Sequence, residues 1–210
     1  MGETIIDSKL KEWAKFLIGY KFALDEVRTK LNILNEEFHI IHDYNPIEHI
    51  KTRLKTPDSI INKLKNKNLE VSFENANSQI RDIAGIRVIC SFTPDIYKIL
   101  DMICLQDDIK LLEIKDYVKN PKPNGYQSIH AVIEIPVFLS VGAKLHTVEI
   151  QIRTIAMDFW ASLEHKIYYK YNKGIPSPIQ CSLKEAAEIV ASLDLKMLAL
   201  KNEIENKSNS

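Results

Sequence analysis

Apolar residues recur in alternating steps of three and four near both ends of the chain, a spacing that marks one face of an α-helix. The first seam consists of Leu10, Trp13, Leu17, Tyr20, Leu24, Val27, Leu31, Leu34 and Phe38. The second follows a capping box of Ser182 and Glu185 and consists of Leu183, Ala186, Val190, Leu193, Met197, Leu200 and Ile204. Long helices are therefore predicted at both ends. Each seam is compatible with packing on the rest of the chain and with self-association.

Between the two seams the pattern predicts short strands and helices. Thr56 as N-cap and Pro57 at the first helical position begin a helix that runs to about Lys67. The β-branched stretch AGIRVICSF is typical of a buried strand. Residues 95–105 are predicted as a short helix and residues 109–118 as another strand.

A hairpin and a helix are predicted next. A strand from Gln127 to Val137 and the strand that contains Glu149 are joined by a short link with a glycine, which favours antiparallel pairing. Thr154 then caps a helix that runs to about Tyr171. The buried stripe of this helix is predicted to consist of Phe159, Leu163 and Ile167.

These elements predict an α+β fold in which helices flank a mixed, largely antiparallel β-sheet, with long N- and C-terminal helices. The 210 residues, 45% of them hydrophobic, are enough for one domain with a substantial core. We expect a single domain over residues 1–210. Its parts are an N-terminal helical extension (8–40), a catalytic core (46–172) and a C-terminal helix (182–206).

Charge and cysteine content narrow the functional class. Lys plus Arg and Asp plus Glu number 28 each, so no global field draws the chain to DNA or to a membrane. Three widely spaced cysteines without a CxxC pair fit a reducing compartment better than a disulfide framework. No stretch has the composition of a signal peptide or a membrane span, so a cytoplasmic location is expected.

Two segments suggest a nucleotide site. In HTVEIQIRT the apolar residues alternate with Glu149, Gln151 and Arg153, which places a carboxylate, an amide and a guanidinium on one face of a strand. In KNPKPNGYQSIH the prolines, asparagine and glycine predict an exposed loop that carries lysines and Tyr126. The alternative interpretation is a lysine-rich surface loop beside a strand with one solvated face.

The densest positive cluster lies in residues 51–67 and contains Lys51, Arg53, Lys55, Lys63, Lys65 and Lys67. Ser59, Lys63 and Lys67 share one helical face, where they could converge on an anion near the helix N-terminus. A solvated helix face and RNA backbone binding are the alternatives.

A second acid stands at the entry to the buried strand. Asp82 precedes Gly85 and Arg87, and a carboxylate there is costly unless an ion pair or a cation stabilises it. The alternative to a metal site is a structural ion pair with Arg81 or Arg87. Two acids at separate strands, Asp82 and Glu149, suit a Mg²⁺-assisted phosphoryl-type transfer.

Four segments together carry a resemblance to a known family: RLKTPDSIINKLK, IRDIAGIRVIC, PKPNGYQSIH and VEIQIRTIAMDFWASLEHKIYYKY. In this order and spacing they resemble the small alarmone synthetases, the single-domain RelA/SpoT-type (p)ppGpp synthetases, and most closely their RelQ-like branch. The resemblance covers nearly the whole chain. It implies a nucleotidyltransferase-like synthetase domain that transfers pyrophosphate from ATP to the 3′-hydroxyl of GDP or GTP.

The resemblance also implies roles for individual residues. Asp82 coordinates Mg²⁺, and Glu149 activates the acceptor hydroxyl and shares the metal. The donor ATP is bound by Arg53, Lys55, Ser59, Lys63 and Arg87, in which the two arginines stack on the adenine. The acceptor nucleotide is bound by Lys122, Tyr126, His130 and Gln151, and the tyrosine stacks on its guanine.

The RelQ-like branch further implies a homotetramer with a central alarmone site. The matching positions here are Arg28, Asn32, His49 and Asp158, a less basic and less aromatic set than the branch has. The PKPNGYQSIH loop is closer to that of the long, two-domain enzymes. Two other functions stay open: a toxic relative that uses an adenine nucleotide or tRNA as acceptor, and a non-catalytic nucleotide- or RNA-binding regulator.

Overall fold

A computed structural model describes residues 2–170 and 175–208, with side chains described for 11–167 and 175–207. The helices are α1 (Gly2–Ile41), α2 (Pro57–Asn66), α3 (Phe73–Gln79), α4 (Thr93–Cys104), α5 (Ile155–Lys170) and α6 (Ser177–Ser208). The strands are β1 (Ile47–Leu54), β2 (Ala84–Cys90), β3 (Lys110–Asp116), β4 (Ile129–Leu139) and β5 (Gly142–Thr154). None of these helices, in the described part of the chain, is both long and apolar enough to cross a lipid bilayer.

The five strands form one sheet in the order β1-β2-β5-β4-β3. Only β2 and β5 pair in parallel, and the other neighbours pair antiparallel. The predicted hairpin is present as β4 and β5, whose turn contains Gly142 at a φ of +110°. The α+β class with a mixed, largely antiparallel sheet is therefore confirmed.

One face of the sheet and the first helix form the main core. Along β2 and β5, alternate residues such as Ile86, Val88 and Ile150 are buried. The seam of α1 packs on this layer through Tyr20, Leu24, Val27 and Leu31, which are at most 6% exposed. The interpretation that the first seam packs on the domain holds for these residues, and the opposite face of the sheet is left for function. The side chain of Leu10, the first seam position, lies outside the described side chains.

The predicted stripe of α5 is wrong. Phe159 and Leu163 are 62% and 42% exposed, and the helix instead buries Met157, Trp160 and Ala161. Trp160 and Ala161 form a small cluster with Ala187 of α6, which fixes the rotation of α5 about its axis. The sequence pattern contains both stripes, and the position of α6 decides between them. The predicted helix end at Tyr171 lies outside the described residues.

The last helix begins earlier than the capping box predicts. α6 starts at Ser177, so Ser182 lies inside the helix and does not cap it. The first part of the predicted seam packs on the domain, since Leu183 and Val190 contact the small cluster around Trp160. The later part of the seam does not pack on the domain. Its residues Leu193, Met197, Leu200 and Ile204 are 49–65% exposed.

Candidate active site

Polar side chains cover the sheet face opposite the main core. The strand register aligns Arg53 of β1 with Gly85 of β2 and Glu149 of β5 in one row. The next row aligns Lys51, Arg87, Gln151 and His130. Because successive residues of a strand point to opposite faces, these positions share one side of the sheet. The predicted donor arginines thus stand beside the predicted catalytic glutamate.

A cleft with a volume of about 270 Å³ lies over these rows. Its lining includes residues of both predicted nucleotide sites: Lys51, Thr52, Arg53, Lys55, Asp82, Gly85, Ile86, Arg87, Glu149 and Gln151. Gly85 occupies the middle of the cleft floor. A Cβ atom added there would be 3.8 Å from the Arg53 carbonyl oxygen and 3.9 Å from that of Glu149, ordinary contact distances. The lack of a side chain at Gly85 therefore keeps the volume of the cleft open.

Asp82 is held at the cleft by two lysines. Its Oδ2 is 3.0 Å from Lys55 Nζ and its Oδ1 is 2.8 Å from Lys63 Nζ. Burial raises the pKa of Asp82, but the hydrogen bonds and charges of Lys63 and Lys55 outweigh it and keep the pKa below its usual 3.8. The ion pairs expected as the alternative, with Arg81 or Arg87, are not the ones formed. Both oxygens of Asp82 are therefore occupied by lysine ammonium groups in this structure.

We expect Asp82→Asn to lower the free energy of unfolding by about 1 kcal/mol at pH 7, because two ammonium groups lose their counter-ion. Since folding lowers the pKa of Asp82, its stabilisation is present above pH 3.8 and is lost as the pH falls through the folded-state pKa. The difference between variant and wild type should therefore be smaller at a pH well below 3.8 than at pH 7. Urea denaturation at both pH values measures it, and an equal difference at both would contradict the ion-pair assignment.

Glu149 is also ionised and hydrogen-bonded. Gln151 Nε2 donates to Glu149 Oε2 at 2.9 Å, and His130 Nδ1 lies 3.3 Å from Oε1. Burial raises the pKa of Glu149, the contacts with His130 and Gln151 lower it, and the nearby charge of Asp82 raises it. The balance keeps the pKa below its usual 4.5. At neutral pH the cleft therefore contains two carboxylates that sense each other's charge.

Tyr126 closes a ring of hydrogen bonds with these groups. Its hydroxyl lies 2.7 Å from His130 Nε2 and accepts from Arg153 Nη2 at 3.0 Å. Arg153 Nη2 also donates to Gln151 Oε1 at 2.7 Å. Together with the two contacts of Glu149, the five side chains form a closed circuit, which orients the predicted guanine-stacking ring relative to the predicted catalytic acid.

The loop that carries Tyr126 is anchored at its start and supported at its tip. Asp116 Oδ1 accepts from the backbone N–H groups of Val118 and Lys119 at 3.0 and 2.9 Å. At the tip, Gly125 has a φ of +88°, and a Cβ atom there would lie 2.4 Å from the Cβ of Ala187 on α6. Glycine is thus required at this position by both conformation and space, and α6 supports the loop from behind.

Lys122 and Ser59 occupy positions that leave them available to ligands. The Lys122 ammonium lies over the rings of Tyr117 and Tyr126, 4.7 and 4.9 Å from their centroids. Ser59 Oγ lies 2.9 Å from Thr56 Oγ1 in the first turn of α2, and the predicted N-cap at Thr56 is confirmed. Lys67 does not converge with Ser59 and Lys63, because its ammonium donates to the carbonyl oxygen of Gln79.

Among the described residues, no three His, Cys, Asp or Glu side chains cluster as a metal site. The described carboxylates that line the cleft are Asp82 and Glu149, and a cation there would take its protein ligands from these two, with ligand phosphates and water completing the shell. Carboxylate oxygens are the ligands that Mg²⁺ prefers. The composition of the cleft fits such an ion.

Comparison with known proteins identifies the family and the fold. The family described as "Region found in RelA / SpoT proteins" matches residues 52–174, which contain every residue that lines the cleft except Lys51. The chain belongs to the RelA/SpoT family. It is 50% identical over 196 residues to the GTP pyrophosphokinase YwaC of Bacillus subtilis strain 168, and the alignment covers 93% of each chain.

Solved structures of small alarmone synthetases share the fold of this RelA/SpoT member. Small alarmone synthetase 2 from Bacillus subtilis is 49% identical with a TM-score of 0.84, covering 91% of this chain and 99% of its own. Small alarmone synthetase 1 from Bacillus subtilis, bound to its product pppGpp, is 34% identical with a TM-score of 0.86, covering 92% and 98%. The same enzyme bound to AMPCPP is 32% identical with a TM-score of 0.79, covering 93% and 98%. The resemblance to small alarmone synthetases is confirmed.

Gly85, Arg153 and Asp158 lie in or beside the cleft, and the sequence did not indicate any of them as a catalytic or substrate-binding residue. The sequence does not indicate Gly85, because glycine has no side chain that could bind a ligand and contributes only open space to the cleft. Arg153 was recognised on the polar face of its strand, but its partner Tyr126 is 27 residues away along the chain. Asp158, expected near a central alarmone site, lies 3.1 Å from Arg87 and thus contacts the cleft. The residues three and four positions away from Asp158 in the sequence gave no indication of its contact with Arg87.

Proposed function

We propose that the protein is a (p)ppGpp synthetase that transfers pyrophosphate from ATP to the 3′-hydroxyl of GDP or GTP and releases AMP. The single observation that carries this proposal is the placement of Asp82 and Glu149 in one cleft with cationic side chains, where His130 joins Glu149 to Tyr126 of the loop. The similarity to enzymes named GTP pyrophosphokinase and small alarmone synthetase supports the same reaction. The match to the RelA/SpoT family favours an enzyme over a non-catalytic nucleotide- or RNA-binding protein.

The donor ATP belongs on the side formed by β1, β2 and α2. Arg53 and Arg87 carry planar guanidinium groups on neighbouring strands and are suited to stack on the adenine. Lys55 and Ser59 lie at the N-terminal end of α2, and Lys63 lies one turn beyond Ser59, in the last turn of the helix. These three side chains would bind the phosphates. Their positive charge now faces Asp82, so the arrival of the phosphates gives the two lysines an alternative anion.

Mg²⁺ is the proposed cofactor, bound by Asp82 and Glu149. When bound, it would neutralise charge on the phosphates and on the acceptor oxygen. Glu149 is ionised and accepts the hydrogen bond of the 3′-hydroxyl, which aligns that oxygen for attack on the β-phosphorus of the donor. The new bond joins the 3′-oxygen to the β-phosphorus, the bond from the β-phosphorus to the α-phosphate oxygen breaks, and the hydroxyl proton passes to Glu149.

The acceptor GDP or GTP belongs beside the loop. Tyr126 would stack on the guanine, and Lys122 would move from the aromatic rings to the acceptor's phosphates. Gln151 orients Glu149 through their hydrogen bond. His130 has both ring nitrogens engaged by Tyr126 and Glu149, so its proposed contribution near the acceptor's phosphates is combined with orientation of the catalytic acid.

The exposed apolar residues support assembly into a homotetramer, which is the arrangement we propose. Phe159 and Leu163 on α5, Phe138 and Leu145 on the β4–β5 hairpin, and Ile189 on α6 are each at least 42% exposed. Exposed apolar side chains of this size are available for contacts between copies of the chain.

RNA binding is an additional proposal, since α2 carries lysines whose charge is not needed for its fold. Lys65 is exposed at the end of α2, opposite the buried Ile60 and Leu64. We propose that the protein works in the cytoplasm and binds neither membranes nor DNA.

A product assay with different acceptors tests the proposed function. Purified protein with ATP and Mg²⁺ is offered GDP, GTP, ADP or deacylated tRNA, and the products are resolved by anion-exchange chromatography. We expect guanosine tetraphosphate from GDP, guanosine pentaphosphate from GTP, and AMP in both reactions. A modified ADP or tRNA in place of these would instead support the toxic relative, and an absence of products would support a binding module.

A further inference from the structure

The donor and acceptor sides of the cleft are joined by an ion pair that the reaction itself does not require. Asp158 lies in the first turn of α5, and its side chain is 13% exposed. Its Oδ1 is 3.1 Å from Arg87 Nη1 and 3.5 Å from Arg153 Nη1. Two guanidinium groups of like charge therefore share one carboxylate oxygen, which holds them close to each other.

The two arginines belong to different halves of the site. Arg87 lines the cleft, and its side chain is 37% exposed, so it is accessible to the donor base. Arg153 is 3% exposed and cannot reach a ligand in its present position. Arg153 contacts the acceptor side through Tyr126: it donates a hydrogen bond to the Tyr126 hydroxyl, and its guanidinium lies 5.4 Å from the centroid of that ring. Asp158 is the group that connects them.

The buried position of Arg153 argues for a role in orientation. A guanidinium out of contact with water is costly unless its donors are satisfied, and Arg153 Nε has no hydrogen-bond partner in the described structure. An aliphatic side chain would fill this position at lower cost. Arg153 instead orients its neighbours, because its Nη2 donates hydrogen bonds to both the Tyr126 hydroxyl and the Gln151 carbonyl oxygen.

We propose that Asp158 and Arg153 are positioning residues that couple the two substrates, so that each nucleotide binds more tightly when the other is present. This inference rests on the proposed function. When a base stacks on Arg87, its guanidinium is held, Asp158 and Arg153 lose rotameric freedom, and Tyr126 is set for the second base. The second nucleotide then meets side chains that are already ordered.

Isothermal titration calorimetry tests the coupling without turnover. AMPCPP, whose α,β-bridge is not cleaved, is titrated into the full-length protein with Mg²⁺, in the absence and presence of saturating GDP. In the wild type we expect GDP to lower the Kd of AMPCPP at least about fivefold. In Asp158→Asn and in Arg153→Lys the two Kd values should become nearly equal.

Asp194→Asn is the matched control. Asp194 of α6 accepts a hydrogen bond at 2.6 Å from Thr154 Oγ1 at the start of α5, near Asp158, but Thr154 lies outside the cleft. This variant should lose stability and retain the wild-type coupling. Thermal unfolding of all variants separates loosening of α5 from loss of orientation, and Arg153→Lys provides a second test if Asp158→Asn folds poorly.

The outcomes are distinguishable from failure of the proposed function. Binding of both nucleotides with unchanged coupling in Asp158→Asn and Arg153→Lys would overturn the inference and leave the reaction intact. Binding of both nucleotides without coupling in the wild type would also overturn it. If neither nucleotide bound the wild type, the proposed function would fail, and the inference with it.

Discussion

We expect the Glu149→Gln variant to lose about a thousandfold in kcat/KM for pyrophosphate transfer while it folds like the wild type. The amide has the shape of the carboxylate and can still contact Gln151 and His130, so the ring of hydrogen bonds loses little. It has no negative charge, and it can neither accept the proton of the 3′-hydroxyl nor balance the charge of a cation. Steady-state rates of AMP release measure the loss.

Glu113→Gln is the matched control for this prediction. Glu113 lies on β3 in the same row of the sheet, beside Val132, but its partner is Lys115 and it is outside the cleft. The same chemical change there should leave the rate within about twofold of the wild type. Retention of turnover by Glu149→Gln would remove this residue from the chemistry.

The second large effect is expected at Gly85. A valine there should leave the protein folded, and its β-branched side chain suits a strand better than glycine does. The nearest atoms to an added Cβ are carbonyl oxygens at 3.8 and 3.9 Å, so the protein itself offers no clash. The side chain would instead fill the floor of the cleft between Arg53 and Glu149. We expect kcat/KM to fall roughly a hundredfold, since a substrate displaced by about 1 Å reacts far more slowly.

A graded series makes this prediction sharper. Gly85→Ala adds one methyl group and should reduce the rate less than Gly85→Val, whereas thermal stability should stay equal or rise in both. Such an opposition between stability and activity distinguishes a filled cleft from a damaged fold. A loss of stability that parallels the loss of activity would show that Gly85 serves the backbone and not the cleft.

The parts of the site that lie on one element are predictable from sequence. Alternation along residues 148–153 places Glu149, Gln151 and Arg153 on one face, and the structure has them there. The helix start at Thr56 and Pro57 is equally local, because an N-cap depends on the side chain and on the N–H group three residues on. The periodicity of a strand and the capping of a helix depend on residues close together in sequence, so they can be predicted without knowledge of the tertiary packing.

The parts that depend on packing between elements are not predictable in this way. Asp82 is bound by Lys55 and Lys63 of the preceding segments, although Arg81 and Arg87 are nearer in sequence. The exposed face of α5 was predicted as buried, since an apolar stripe looks the same whether it covers a core or an interface. Helix rotation is decided by the neighbour, here α6 with Ala187 against Trp160.

The position of an isotopic label tests the central claim most directly. The protein is incubated with GDP, Mg²⁺ and ATP labelled at the β-phosphorus, and the products are separated. If the two carboxylates align a 3′-hydroxyl on the β-phosphorus, the label appears in guanosine tetraphosphate at its 3′-diphosphate, and AMP is released in equal amount. Release of labelled ADP, with only the γ-phosphoryl group transferred, would contradict the account.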